Sequence, residues 1–157
     1  MRVGSGFDVH QFDDEPPLLI GGVVVDQTRG LAGTSDADVL FHAISDALLG
    51  AAALGDVGTF FPSDDDQWID ADSADLLRQV VEMVAAAGYR VLNCDATVIS
   101  QTVRIAPHRA EIRQNVAAAL RIDLTAVSVK ATSTDGLGVI GRDEGLAASA
   151  VVLLTEL

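Results

Sequence analysis

The sequence predicts a single α/β (α+β) domain, with about four strands in one sheet, helices on one face of it, and a small hairpin. Three observations carry this expectation. Strand-like apolar runs alternate along the chain with runs of helical spacing. The composition is 49% hydrophobic but only 4% aromatic, with abundant alanine and valine, which suits small-residue helices packed on a sheet. The 157 residues contain no internal repeat and no linker, a length that makes one domain, 1–157, with a sizeable core.

The first strand is expected over 2–10, where Phe7 and Val9 share one face and Asp8 and His10 the other. In "PLLIGGVVVD", Gly21-Gly22 divides two apolar runs in the manner of a hairpin. A helix follows over about 36–54, with Val39, His42, Ala43, Asp46 and Ala47 at helical spacing and a stop near Gly55. Ser35 followed by Asp38 resembles a capping box at its start. Residues 55–72 carry glycines, a proline and an acidic run, and read as a long loop of the kind that serves as a lid or binding loop. A second helix runs from Ser73 to Gly88. The strand "YRVLNCDATVIS" comes next, with Val91, Cys94, Ala96 and Val98 not strictly alternating. A third helix over about 108–121 opens at Pro107 and His108, and strands "AVSVKATST" and "GLAASAVVLLTEL" complete the chain.

The formal net charge of −13 argues against nucleic acid or an anionic membrane as partner. It also means that a phosphate ligand needs metal ions and a few placed cations to overcome the overall field. No apolar run is long enough and free enough of charge to span a bilayer. The first residues read directly as a strand, with no basic region, apolar stretch and cleavage site, so secretion is not expected, and the single cysteine, Cys94, has no internal disulfide partner. The expected location is cytoplasmic.

Strand residues two apart lie about 6.5–7 Å apart on one side, so Asp8 and His10 either form a polar pair or converge on one metal ion. His42, on an otherwise apolar helix, is the third candidate ligand. Asp38 and Asp46 stand one turn before and after it, placed to orient its ring. An Asp and two His leave tetrahedral zinc one open position, from which it acts as a Lewis acid. In "VKATSTDGLG", Lys130 is followed by the hydroxyls of Thr132, Ser133 and Thr134 and then by Asp135. Such a strand end either runs into an ordinary turn or binds phosphate, with the carboxylate holding Mg²⁺. In "GRDEG", Arg142 is a surface charge or a bidentate phosphate ligand.

Taken together, "GFDVH", "SDADVLFHAISDALLGAAALGDVG", "FP", "ADS", "VKATSTDGLG" and "GRDEG", in this order, closely resemble the 2-C-methyl-D-erythritol 2,4-cyclodiphosphate synthase family over essentially the whole chain. The resemblance implies a ferredoxin-like subunit with a four-stranded mixed sheet, assembled as a homotrimer with active sites between subunits. It implies conversion of 4-diphosphocytidyl-2-C-methyl-D-erythritol 2-phosphate into the cyclic diphosphate and CMP, in the non-mevalonate isoprenoid pathway. Zn²⁺ would fall to Asp8, His10 and His42, and Mg²⁺ or Mn²⁺ to Asp135 together with the diphosphate. Ser133 and Thr34 would stand at the positions linked to transition-state stabilisation. Asp8, Val9, His10, Thr34 and Ser35 would line the substrate, and Asp56, Val57 and Gly58 its methylerythritol portion. Phe61, Pro62, Ser63, Asp64 and Asp65 would form a flap. Ser100, Gln101, Thr102, Val103, Arg104, Ile105 and Ala106 would hold the cytidine. Thr132, Ser133, Thr134, Asp135, Val139 and Arg142 would complete the contacts, Arg142 on a phosphate of the nucleotide end.

The chain departs from the family pattern at several of these positions. The family usually has histidine where Thr34 stands and often where Ser5 stands. It usually has glycine at Ala37, threonine at Ser133 and glutamate at Asp135, and proline and lysine at Val103 and Arg104. The alternative function is a catalytically weakened trimeric relative that binds zinc and cytidine nucleotides.

Overall fold

The computed structural model describes residues 1–157. In chain order the strands are β1 (Arg2–Asp13), β2 (Leu18–Ile20), β3 (Val23–Asp26), β4 (Gly30–Leu31), β5 (Tyr89–Ile99), β6 (Val127–Thr132) and β7 (Gly145–Glu156). The helices are α1 (Val39–Ala52), α2 (Val57–Phe60), α3 (Ser73–Ala86), α4 (Arg109–Leu120) and α5 (Gly138–Gly141). The main sheet has the order β4-β1-β7-β5-β6, and β2-β3 form a separate hairpin. β1 and β5 each pair antiparallel with β7, and β6 runs parallel to β5, so the four long strands make the expected mixed sheet. The two-residue β4 adds a fifth member at the edge, too short to leave a periodic signal in the sequence.

One face of the sheet is lined by small side chains that admit the helices. Across the strands, Gly4, Val152, Cys94 and Val127 fall in one row, and Gly6, Ala150, Ala96 and Val129 in the next. Leu40, Ile44 and Leu48 of α1, Leu77 of α3 and Ile112 of α4 are fully buried above these rows. A Cβ on Gly4 or Gly6 would collide with the carbonyl oxygens of Ala47 and Ala43 in α1. The missing side chains therefore let α1 settle directly on β1. The hairpin belongs to the same core, since Leu18 and Ile20 are fully buried.

Much of the opposite face is uncovered. Phe7 is 58% exposed, Val9 49% and Val151 47%, an apolar stripe left open to the surroundings. No helix is long and apolar enough to cross a membrane.

α1 begins three residues later than expected, because its cap is Asp38 and not Ser35. The Asp38 carboxylate is fully buried and accepts the backbone N–H groups of Leu40 and Phe41, satisfying donors that an open helix start leaves unpaired. It also accepts the Gly22 N–H at 2.8 Å, which fastens the hairpin turn to the helix. Within 55–72 the chain is not structureless. It forms the single turn α2, capped by Asp56, and a 3-10 turn at Asp66–Trp68. Asp72 caps α3.

Candidate active site

The site starts from β1. Asp8 and His10 lie on its helix-covered face, and the close seating of α1 over Gly6 brings His42 to them. Asp8 Oδ2 lies 2.9 Å from His10 Nε2 and 3.1 Å from His42 Nδ1. One ligand atom of each residue lies within 4.8 Å of the others. The expected triad is thus brought together.

The far nitrogens settle which atoms face inward. His10 Nδ1 meets the Ala32 carbonyl oxygen, which only accepts, so that nitrogen carries the proton and leaves Nε2 bare. His42 Nε2 lies 2.9 Å from Ser73 Oγ and 3.2 Å from Ser35 Oγ, leaving Nδ1 toward Asp8. Three lone pairs then converge on one point, an arrangement that requires a cation. Zinc suits this N₂O donor set, which leaves one coordination position over, and both imidazoles have the outer hydrogen bonds that zinc-binding histidines use.

Without a metal, Asp8 and its two histidine neighbours alter proton affinity at the site. Burial by itself raises the Asp8 carboxyl, but hydrogen bonds with His10 and His42 outweigh it and hold the group well below the usual carboxylate range. For His10, burial opposes the charged form. Asp8 and the Ala32 carbonyl more than compensate, and its affinity for a proton lies above that of an ordinary imidazole.

Asp38 and Asp46 do not orient His42. Asp38 is spent on capping and on the hairpin, and Asp46 accepts the Val57 N–H at 2.8 Å, anchoring α2. Ser35 and Ser73 take the orienting part instead. Helical spacing put the two aspartates nearest in sequence, but their carboxylates found backbone donors elsewhere.

A cleft of about 300 Å³ opens beside the triad, lined by His10, Gly33, Thr34, Ser35, His42, Val57, Gly58, Phe61, Ser63, Trp68 and Leu76. Phe61 and Trp68 meet edge to face with ring centroids 5.0 Å apart, giving the cleft an aromatic wall. Trp68 and Leu76 were not among the residues expected from the sequence. On the other side of His42, Asp56, Val57 and Gly58 share a concavity with Asp8 and Asp46. Pro62, Asp64 and Asp65 belong to the same loop but do not line the cleft, and Asp65 is engaged with the Gln67 N–H.

A second cavity, of about 320 Å³, gathers Ser100, Gln101, Val103, Arg104, Ile105, Ala106 and Arg109 with Ala131, Thr132 and Ser133. Its walls are tied together. Ser100 N–H donates to the Thr132 carbonyl and Gly136 N–H to Gln101 Oε1, at 3.0 and 3.1 Å. Ser133 Oγ donates to Asp135 Oδ1 at 3.1 Å, and Thr134 Oγ1 donates to the Leu137 carbonyl at 2.8 Å. Thr102 is not free in this cavity, because it donates to Asp143 Oδ1 at 2.7 Å and accepts from Arg29. Arg29 also pairs with Asp26 and Asp143, and its guanidinium lies 3.9 Å from the Phe12 ring centroid.

Two of the cations near the hydroxyl turn are paired within the single chain. Lys130 Nζ lies 2.6 Å from Asp95 Oδ2, and Arg142 Nε lies 2.6 Å from Glu144 Oε1. Val9 and Val139 line a third groove with His10, Gln11, Ile140 and Glu144.

The metal triad and the hydroxyl turn stand at opposite sides of the sheet. Asp8 pairs with Ala148, Ala148 with Val98, and Val98 with Ala131, which places Asp8 and the end of β6 in one row. Three strand spacings separate them, about 14–15 Å.

A family model described as the YgbB family matches residues 1–155. The chain is 57% identical over 150 residues to a 2-C-methyl-D-erythritol 2,4-cyclodiphosphate synthase of Salinibacter ruber, covering 96% of each. Among solved structures, it superposes with a TM-score of 0.96 and 40% identity on a bifunctional IspDF from Campylobacter jejuni, covering 99% of this chain and 42% of that one. It also matches an IspF from Plasmodium falciparum in complex with CDP, with a TM-score of 0.85, 32% identity, and 99% and 96% of the two chains covered.

Proposed function

We propose, from the premise that this chain belongs to the YgbB family, that it is a metal-dependent cyclising lyase of the non-mevalonate isoprenoid pathway. Its substrate is 4-diphosphocytidyl-2-C-methyl-D-erythritol 2-phosphate, and its products are 2-C-methyl-D-erythritol 2,4-cyclodiphosphate and CMP. The observation that carries the chemistry is the convergence of Asp8, His10 and His42 on one point beside an aromatic-walled cleft. Identity of 57% to a synthase over nearly the full length supports this reading over that of a weakened binding relative.

The attacking group is an oxygen of the 2-phosphate, already ionised at neutral pH, so the chain need supply no strong base. Its task is to bring two anions together and to stabilise the charge that grows as CMP departs. Asp8, His10 and His42 would hold a zinc ion, which would supply Lewis-acid polarisation of a phosphoryl oxygen. Thr34 and Ser35 stand in the same cleft to donate to phosphate oxygens. Val57, Gly58 and Phe61 enclose the methylerythritol carbons, with Asp56 placed to receive hydroxyl groups. Residues 100–106 hold the cytidine, Ser133 donates to the diphosphate, and Asp135 would hold a Mg²⁺ or Mn²⁺ that offsets the diphosphate charge.

These assignments require a neighbouring subunit. The diphosphate must touch both the triad and the hydroxyl turn, which lie about 14–15 Å apart in one chain. A homotrimer that sets the β6 edge of one subunit against the β1 side of the next closes the gap. The uncovered stripe of Val3, Phe7, Val9 and Val151 supplies an apolar surface for that assembly.

The deciding experiment incubates the protein with the cytidyl diphosphate substrate, Zn²⁺ and Mg²⁺ and follows the reaction by ³¹P NMR. The expected result is the cyclic diphosphate and CMP in equal amounts. A folded, metal-loaded trimer that yields neither overturns the assignment, and release of inorganic phosphate in their place identifies a phosphatase.

A further inference from the structure

We infer that Ser73, backed by Asp36, is a positioning residue that fixes the tautomer and orientation of the His42 ring. The inference rests on the metal-site reading and adds to it a residue from a different helix.

Asp36 Oδ1 accepts the Ser73 hydroxyl, and a serine has only one hydroxyl proton to give. Ser73 Oγ can then only accept from His42 Nε2, which lies 2.9 Å away. That fixes the proton of a neutral His42 on Nε2 and leaves the Nδ1 lone pair pointing at Asp8. Ser35 Oγ lies farther from the same nitrogen, at 3.2 Å, and its contact to Ser73 Oγ at 3.4 Å has no carboxylate of its own behind it. Ser73 is therefore the partner that decides.

Ser73 is itself held rigidly. It is 1% exposed, opens α3, and its backbone N–H donates to Asp36 Oδ2 at 3.1 Å. Asp36 N–H donates to the Ala71 carbonyl at 3.1 Å, and Asp70 N–H to the Thr34 carbonyl at 2.9 Å. The segment 34–36 is thus laced to the base of the loop that walls the cleft. A ligand ring on α1, the start of α3 and the end of the 61–72 loop are joined by one carboxylate and one hydroxyl.

The test compares wild type with Ser73→Ala, Ser73→Thr and Asp36→Asn. Zn²⁺ affinity is read by competition with a chromophoric chelator, and the His42 tautomer by long-range ¹H–¹⁵N correlation in zinc-free protein at pH 8.5. Wild type is expected to show the Nε2–H tautomer. Ser73→Ala should mix the tautomers and weaken zinc by about 10–100-fold. Ser73→Thr, which keeps the hydroxyl, should stay near wild type, and Asp36→Asn should fall between. An Nδ1–H tautomer in wild type overturns the inference, as does a folded Ser73→Ala that binds zinc as wild type does. If Ser73→Ala does not fold, the wild-type tautomer and the Asp36→Asn affinity decide. Failure of wild type to bind zinc overturns the metal reading instead, while the tautomer measurement still decides the role of Ser73.

Discussion

Gly6 of β1 lies directly beneath the Ala43 carbonyl of α1, at a separation that leaves no space for a Cβ. This contact sets the distance between Asp8 on the strand and His42 on the helix. Gly6→Ala is expected to lift α1, at a cost of about 1–3 kcal/mol or more, and to weaken zinc binding beyond what the loss of stability explains. Thermal melts with and without Zn²⁺ separate the two effects. The zinc-induced rise in Tm should shrink in the variant.

Asp38 is buried with three backbone N–H groups on its carboxylate, from Gly22, Leu40 and Phe41. In Asp38→Asn an amide N–H₂ must face at least one of these donors. The expected loss is about 1–3 kcal/mol, read as a lower urea midpoint at unchanged slope. Zinc should still bind, because the Asp38 side chain touches neither histidine.

The metal-free protein and the zinc-loaded protein should respond oppositely to pH around neutrality. His10 holds its proton more tightly folded than unfolded. Its contribution to stability is complete below the unfolded value of about 6.5 and is lost as pH rises through the folded value. Zinc binds only the deprotonated ring, so its affinity and its stabilisation grow over that same interval. Asp8 is shifted the other way, and its contribution disappears only in strong acid, as pH falls through its depressed value. Calorimetric melts from pH 5.5 to 8.5 should show the apo Tm falling and the zinc increment rising.

Arg29 joins three segments, since it binds Asp26, Asp143 and Thr102 and stacks on Phe12. Arg29→Ala should leave Thr102 with Asp143 as its one side-chain partner and loosen the 100–106 segment. CMP affinity measured by calorimetry is expected to drop about fivefold to tenfold, an estimate based on the loss of charge-assisted hydrogen bonds partly open to solvent. Zinc affinity should stay unchanged. Equal loss of both would place Arg29 in general stability and not in the nucleotide loop.

Cys94 is buried at the centre of the sheet, and burial pushes its thiol up to about 12. Iodoacetamide at pH 8.5 should modify it only as fast as the protein opens, with the full rate appearing in denaturant.

Much of the site was legible in the sequence where local periodicity carries it. A strand period of two put Asp8 and His10 on one face, and helical spacing placed His42 on α1, so the triad could be read before any contact was known. The hydroxyl turn after β6 was legible from residue type, as Thr132, Ser133 and Thr134 run into Asp135 and two glycines. What periodicity cannot convey is which distant loop supplies a hydrogen bond. Ser73 reads as an ordinary helix start, and its contact with His42 exists only because Asp36 binds the first turn of α3. Asp38 and Asp46 were read as partners of His42 from their spacing, but backbone donors of the hairpin and of α2 claimed them. Trp68 joined the cleft wall through the 3-10 turn that it ends, a turn hidden in a polar, glycine-bearing stretch.

Because the triad and the hydroxyl turn stand three strands apart on one sheet, damage to either is repairable by a different copy of the chain. A His10→Ala chain keeps an intact hydroxyl edge, and a Ser133→Ala, Asp135→Ala chain keeps an intact metal edge. Each alone is inert in the proposed assembly. Co-expressed in equal amounts and mixed at random, they should regain about a quarter of wild-type turnover, since one junction in four unites two sound halves. In a cell carrying two defective alleles of this gene, the lesion's position in the sheet would therefore decide whether the alleles complement.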